Sequence, residues 1–401
     1  MDHRDIGRQQ ELFMFSDYSP GCPIWLPNGH TIYSLLQNKM RTLNAEFGYT
    51  EVRTPMMWKP GLYETSGHWD HFRDNMFIIH GKDVSGDKVS LYPEYALKPM
   101  NCPGHMEIYK SKVRSYRDLP VRISDQTVLH RNETSGALGG LFRCRSFAQD
   151  DGHCFINQDD IGSEIGSILG MIKRVYYPFD MPMRFVLSTR PAKFMGTHTA
   201  WDVAESKLHV ALEDNKLVFE IAKGQGAFYG PKIDCIVTDS QGRDWQTATI
   251  QLDFQLPERF DLNFVGEDNK NHRPIVVHRA IYGSFERFIG ILLEHYNGAL
   301  PCWLAPTQVV MLPIAERHAE YARTFVYSGE HGVRATVDDS NNTLNQKILV
   351  AQTNHIPYMG IVGDREVKDG MVSVRDRTGK NESMMMGAFY EFVDGQNRFS
   401  Y

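Results

Sequence analysis

Apolar residues recur at helical spacing from Thr31 to Phe47, where Ile32, Leu35, Leu36, Met40, Leu43 and Phe47 share one face. Gly48 closes that helix, and YTEVRTP predicts a strand running into Pro55, which cannot continue a central ladder. Strands are expected at VRIS (121–124) and TVLHRNE (127–133). After the loop TSGALGG comes one long strand, FRCRSFAQDDGHCFI (142–156). Helices are expected over 158–177 and 201–215, with a strand over 183–190 between them; Val203, Leu208, Ala211 and Leu212 form the apolar face of the second helix. IDCIVTD (233–239) alternates toward a turn at Ser240–Gly242 and a return strand, TATIQLDF (247–254). PIVVHRA (274–280) reads as a buried strand. The helix after it carries Phe285, Phe288, Ile289, Leu292 and Leu293 as its stripe and Gly298 as its C-cap.

LPCWLAP (300–306) marks a linker. Beyond it, strands VVMLPI, VRATVD, YMGIVG and VSVRDR alternate with helical stretches 316–328 and 343–354, which predicts a small α/β domain. Two domains are therefore expected, over residues 1–300 and 301–401, as befits a chain too long for one hydrophobic core.

Composition adds exclusions. The six cysteines have no paired spacing, so free or metal-bound thiols in a reducing compartment are expected in place of a disulfide framework. The charged start MDHRDIGRQQE lacks an apolar signal core, and no apolar stretch reaches spanning length, so a cytoplasmic protein with no membrane partner is expected. A net charge of −6 argues against a generally basic nucleic-acid coat but leaves room for a local phosphate-binding patch.

The candidate chemistry concentrates between residues 97 and 290. Arg131, Glu133 and Arg143 flank a glycine-bearing loop; arginine forks suit a triphosphate, and Phe147 could stack on a base, although a solvated sheet face explains the charges equally well. Arg287 serves a ligand or pairs with Glu286. Cys102, His153 and His278 show no metal-ligand spacing. Asp150 and Asp151 suit a magnesium ion, an ammonium group or a turn cap. GQGAFYGPK (224–232) lacks P-loop context and reads as a close backbone approach to a ligand or as a bulged hairpin, with Tyr229 and Lys232 as its polar tips.

Several motifs, in this order, carry a resemblance: SGHWDHF, LKPMNCPGH, LPVR, LHRNETSGAL, FAQDDGH, LSTRP, GAFYGPKID, TIQLDFQLPERF, VHRAIYGSFERFIGIL and WLAP. The chain resembles the threonyl-tRNA synthetases, a family of class II aminoacyl-tRNA synthetases, over essentially its whole length. The resemblance implies an α+β fold: an antiparallel sheet flanked by helices, followed by a small α/β anticodon-binding domain. It implies a threonine–tRNA ligase that uses ATP with Mg2+, L-threonine and tRNA(Thr), and a homodimer through the helix and strand ending at Pro55.

Residue by residue, the resemblance gives Arg131 the α-phosphate, Glu133 the adenine amino group, Arg143 the γ-phosphate, and Phe147 with Arg287 the two faces of the adenine. Gln246 and Thr249 would lie along the adenylate and Lys232 near the phosphate. Cys102, His153 and His278 match the family's zinc ligands. Gln149, Asp151, Tyr229, Met100 and Gln251 match the surroundings of the threonine, and His68 a residue implicated in transfer to the terminal ribose. Asn341, Glu366 and Arg375 match positions near the anticodon, where the stretch 338–348 departs from the bacterial pattern. The ubiquitin-like and editing domains that usually precede this region are not in the chain, so a shortened form with measurable serylation is expected.

Overall fold

The computed structural model describes residues 1–82, 89–327 and 332–397. The chain divides into two compact units. One is Phe15–Pro23 with Gln37–Phe288; the other is Met1–Met14 and Ile24–Leu36 with Ile289–Tyr401.

The first unit is built on an eight-stranded sheet: β1 (Thr50–Glu51), β2 (Val121–Asp125), β3 (Asp151–Ile156), β4 (Met183–Ser188), β5 (Phe219–Ala222), β6 (Lys232–Thr238), β7 (Asp244–Asp253) and β8 (Ile275–Ala280). The spatial order is β5-β4-β6-β7-β8-β3-β2-β1, with antiparallel pairs except at the two edges. Helices α2 (Cys102–Lys110), α3 (Ile161–Tyr176) and α4 (His198–Asp214) accompany it, and α1 (Pro27–Glu46) and α5 (Phe285–His295) each have residues in both units. All six residues of β3 are buried, as expected of a strand covered on both faces. The stripe of α5 is buried at every expected position. Each such side chain contributes about 1.5–3 kcal/mol through burial.

Several expectations need correction. The strand expected over 127–133 is only Val128–His130, which leaves Arg131 and Glu133 outside it. The long strand over 142–156 is two strands, Ser146–Ala148 and β3, in different sheets; Ser146–Ala148 pairs with Val128–His130. The break falls at Asp150, whose carboxylate accepts from the backbone N–H groups of Ile281 (2.7 Å) and Tyr282 (2.9 Å) and pairs with the buried Arg279 at 3.4 Å. Those contacts turn the chain out of one ladder and into the next. Val203 is exposed, not inward; Trp201 and Ala204 take the buried positions on α4 instead.

In the second unit a five-stranded sheet has β9 (Val309–Pro313), β10 (Ala335–Val337), β11 (Tyr358–Val362), β12 (Met371–Asp376) and β13 (Asn381–Met385) in the order β10-β9-β11-β12-β13. Helices α6 (Ala319–Tyr327), α7 (Leu344–Thr353), α8 (Asp364–Asp369) and α9 (Met386–Asn397) complete it. Val309, Met311, Phe325, Phe389 and Val393 form its core. The helix expected over 316–328 begins at Ala319, after a short 3-10 turn, and residue 328 lies outside the described residues.

Candidate active site

A cavity of about 410 Å3 opens within the first unit. Strand register explains its contents. Antiparallel partners directly opposite one another project to the same face. His153 on β3 stands opposite His278 on β8, which in turn stands opposite Gln251 on β7. Cys102 enters from the first turn of α2.

The thiol of Cys102 and one nitrogen from each of His153 and His278 lie within 4.8 Å of one another, and all three residues are buried. His153 Nε2 faces His278 Nδ1 at 2.9 Å. The remaining ring nitrogens are engaged behind them: His278 Nε2 with Asp253 Oδ2 at 2.9 Å, and His153 Nδ1 with His105 Nδ1 at 2.7 Å. Asp253 is itself held by the backbone N–H groups of Gln255 and Leu256. One soft thiol and two imidazoles, each imidazole with a hydrogen-bond partner behind it, fit a zinc-type ion with open coordination positions. Burial pushes the Cys102 thiol up and the His153 imidazole well down. His153 is thus in the neutral form that ligation requires, and a cation is the natural means of deprotonating Cys102.

At the other end of the cavity the wall is basic. Arg131 donates from Nε to Pro99 O (3.2 Å), and its guanidinium lies 5.0 Å from the Phe147 ring centre. Arg143 pairs with Glu133 at 2.8 Å. Arg287 donates from Nε to Phe142 O at 3.1 Å, whereas the Glu286 carboxylate accepts from the backbone N–H of Ala148; Arg287 thus faces the cavity. Burial lowers the pKa of both Arg131 and Arg287, but a guanidinium stays charged.

Met100, Gln149, Asp151, Tyr229, Gln246, Thr249 and Gln251 also line the cavity. Gln149 is oriented by Gly283 O (2.8 Å), Gln251 by Gly230 O (3.2 Å) and Asp151 by Asn101 Nδ2 (3.1 Å). Desolvation raises the pKa of Asp151. Two expected site residues stand back from the cavity wall. Lys232 is held by Asp234 at 2.6 Å. His68 is buried, shares a hydrogen bond with Ser66 Oγ (2.7 Å), and packs on Phe228 and Tyr229.

Asp234 is the residue that motif reading missed. One oxygen accepts from Gln246 Nε2 (2.6 Å) and Thr249 Oγ1 (3.1 Å), the other from Lys232 and Ser188 Oγ (2.8 Å). The signal was available: period-two alternation in IDCIVTD sets residue 234 on the same face as Lys232.

In the second unit, Asn341 is exposed in the loop before α7, Glu366 accepts from Gly363 N (3.0 Å) at the start of α8, and Arg375 on β12 donates to Gly379 O (3.2 Å). No contact among these three occurs within the described residues.

The model of the tRNA synthetase class II core domain (G, H, P, S and T) matches residues 87–296, more than half the chain. The chain belongs to the class II tRNA synthetases. An anticodon binding domain model matches residues 308–396. A threonine–tRNA ligase of Desulforamulus reducens is 46% identical over 396 residues, covering 98% of this chain and 61% of that protein. Another, from Caldanaerobacter subterraneus subsp. tengcongensis, is 48% identical over 378 residues, covering 94% of this chain and 57% of its own length. The chain thus spans about three-fifths of these curated relatives. The crystal structure of the RNA binding domain of threonyl-tRNA synthetase from Cryptosporidium parvum Iowa II superposes with a TM-score of 0.94 at 39% identity, over 100% of this chain and 99% of that one. All six cysteines are free thiols, and no helix among the described residues is long and apolar enough to cross a membrane.

Proposed function

We propose that this chain is the catalytic and anticodon-binding portion of a threonine–tRNA ligase, with the two functions divided near residue 300. The observation that carries the reading is the Cys102–His153–His278 cluster sharing one cavity with Arg131, Glu133, Arg143 and Arg287. An apolar pocket discriminates poorly between threonine and the near-isosteric valine. A zinc ion held by the three side chains would supply a Lewis acid that accepts the amine and the hydroxyl of threonine together.

The threonine carboxylate attacks the α-phosphorus of ATP, a P–O bond forms, and pyrophosphate leaves. Arg131 neutralises charge at the α-phosphate and Arg143 draws the γ-phosphate away, work for which preorganised cations are suited. Glu133, which pairs with Arg143 at 2.8 Å, accepts from the adenine amino group. The adenine lies between Phe147 and Arg287. Asp234 keeps Gln246, Thr249 and Lys232 beside the adenylate. Gln149, Asp151, Tyr229, Met100 and Gln251 surround the amino acid, and the tRNA terminal ribose then takes the acyl group near His68. Mg2+ accompanies ATP. Anticodon contacts fall to Asn341, Glu366 and Arg375, self-association to the helix and strand ending at Pro55, and the setting is cytoplasmic.

ATP–pyrophosphate exchange with threonine, serine and valine tests the reading. Threonine supports exchange and valine stays at background. Serine, lacking one methyl, is slower by about 1–3 kcal/mol in specificity. Chelation abolishes exchange and added zinc restores it. Equal exchange with valine, or indifference to chelation, would sink the assignment.

A further inference from the structure

Behind the cavity, none of Lys98, Asn101, Asp125, Thr54 and Thr127 touches its wall, yet their hydrogen bonds run in one direction toward it. Asp125 is fully buried. Its Oδ2 accepts from Thr54 N (3.1 Å) and Thr54 Oγ1 (2.7 Å), and its Oδ1 from Thr127 N (2.8 Å) and Thr127 Oγ1 (2.5 Å). Each hydroxyl proton is committed to the carboxylate, so each hydroxyl oxygen is left to accept. The Lys98 ammonium, 1% exposed, donates to both hydroxyls and, at 2.8 Å, to Asn101 Oδ1. Its three protons are then all spent. With Oδ1 taken as an acceptor, the Asn101 amide cannot flip, and Nδ2 must donate; it does so to Asp151 Oδ2 at 3.1 Å.

A second observation points the same way. Asn101 occupies the N-cap of α2, where an asparagine side chain ordinarily accepts from the first turn, but it makes no cap bond. The side chain gives up that contact to join Lys98 to Asp151.

We propose that Lys98 and Asn101 are positioning residues for amino-acid recognition: the polarised chain from Asp125 through Lys98 to Asn101 fixes one oxygen of Asp151 and aims the other at the substrate ammonium. The inference rests on the proposed function, because it assumes that an amino acid enters the Asp151 end of the cavity. It assigns the Lys98–Asn101 pair to the amino acid alone, with no part in holding ATP or zinc.

Asn101→Asp tests it. The variant is nearly isosteric and still accepts from Lys98, but it turns a donor toward Asp151 into an acceptor. The KM for threonine in ATP–pyrophosphate exchange rises by roughly tenfold or more, the loss expected for a hydrogen bond to a charged group. The KM for ATP stays within about twofold, since no phosphate or adenine contact is touched. Zinc content by mass spectrometry stays equal to that of the parent, and calorimetry shows the same weakening of threonine binding without ATP. An unchanged threonine KM overturns the inference, as does loss of zinc along with threonine binding. Should Asn101→Asp yield no soluble protein, Asn101→Ser carries the same expectations, because its hydroxyl can accept from Lys98 but falls short of Asp151. The parent separates the two claims. No threonine-dependent exchange by the parent overturns the proposed function and this inference with it; strong exchange by the parent and an unaltered variant overturns only the inference.

Discussion

His68 illustrates how a residue's burial sets its chemistry. Desolvation drives its imidazole pKa down to about 3, so it is neutral in the folded chain at pH 7. The unfolded chain binds a proton there below the ordinary value near 6.5, while the folded one does not. Stability from this site is therefore fully present above pH 6.5 and is lost as pH falls toward 3, at roughly 1.4 kcal/mol per pH unit within that window. The difference in unfolding free energy between the parent and His68→Gln should widen as pH rises from 4 to 6.5 and then level off. A flat difference across that range would show that the imidazole titrates normally. Residue by residue, the sequence was uneven. The arginines and Glu133 stood out by charge alone, with a solvated sheet face as an equal alternative, and the strand expected to carry Arg131 and Glu133 ends at His130. The Cys102–His153–His278 cluster was not legible from spacing, because three donors gathered from a helix and two strands leave no local pattern. Only resemblance supplied it.

Elements were more legible than the joints between them. The stripe of α5 and the alternation of β6 and β7 depend on neighbours three or four residues away, or two, and both could be read directly. The break at Asp150 could not, because the groups that cause it, Arg279, Ile281 and Tyr282, lie far along the chain. Glycines at joints carry testable weight. A Cβ at Gly230 would sit 2.0 Å from Leu252 O, a backbone atom that cannot swing away. Gly230→Ala is expected to lower unfolding free energy by about 1–3 kcal/mol through overpacking. It should also disturb Gln251, whose amide bonds to Gly230 O. A urea midpoint equal to the parent's would mean that the β6 entry tolerates the shift.

At the scale of the whole molecule, the small α/β domain was anticipated in outline, but α8, β13 and α9 were not, since short or weakly periodic segments give little signal. Residues 301–401 hold ten Lys and Arg against twelve Asp and Glu, so the proposed RNA recognition there would depend on placed side chains and not on bulk charge. Arg375→Ala is expected to raise the KM for tRNA several-fold in charging while leaving threonine-dependent exchange at the parent rate. A matching loss in both assays would move Arg375 into the fold's framework and out of RNA recognition.

The register that sets His153 opposite His278 also imposes an order on assembly. Cys102 and His153 are synthesised long before His278, so a nascent chain cannot present all three donors until β8, which ends at Ala280, has left the ribosome. Any ion capture by these three residues would therefore follow completion of β8, and a chain ending before residue 278 should bind zinc more weakly than one that includes it.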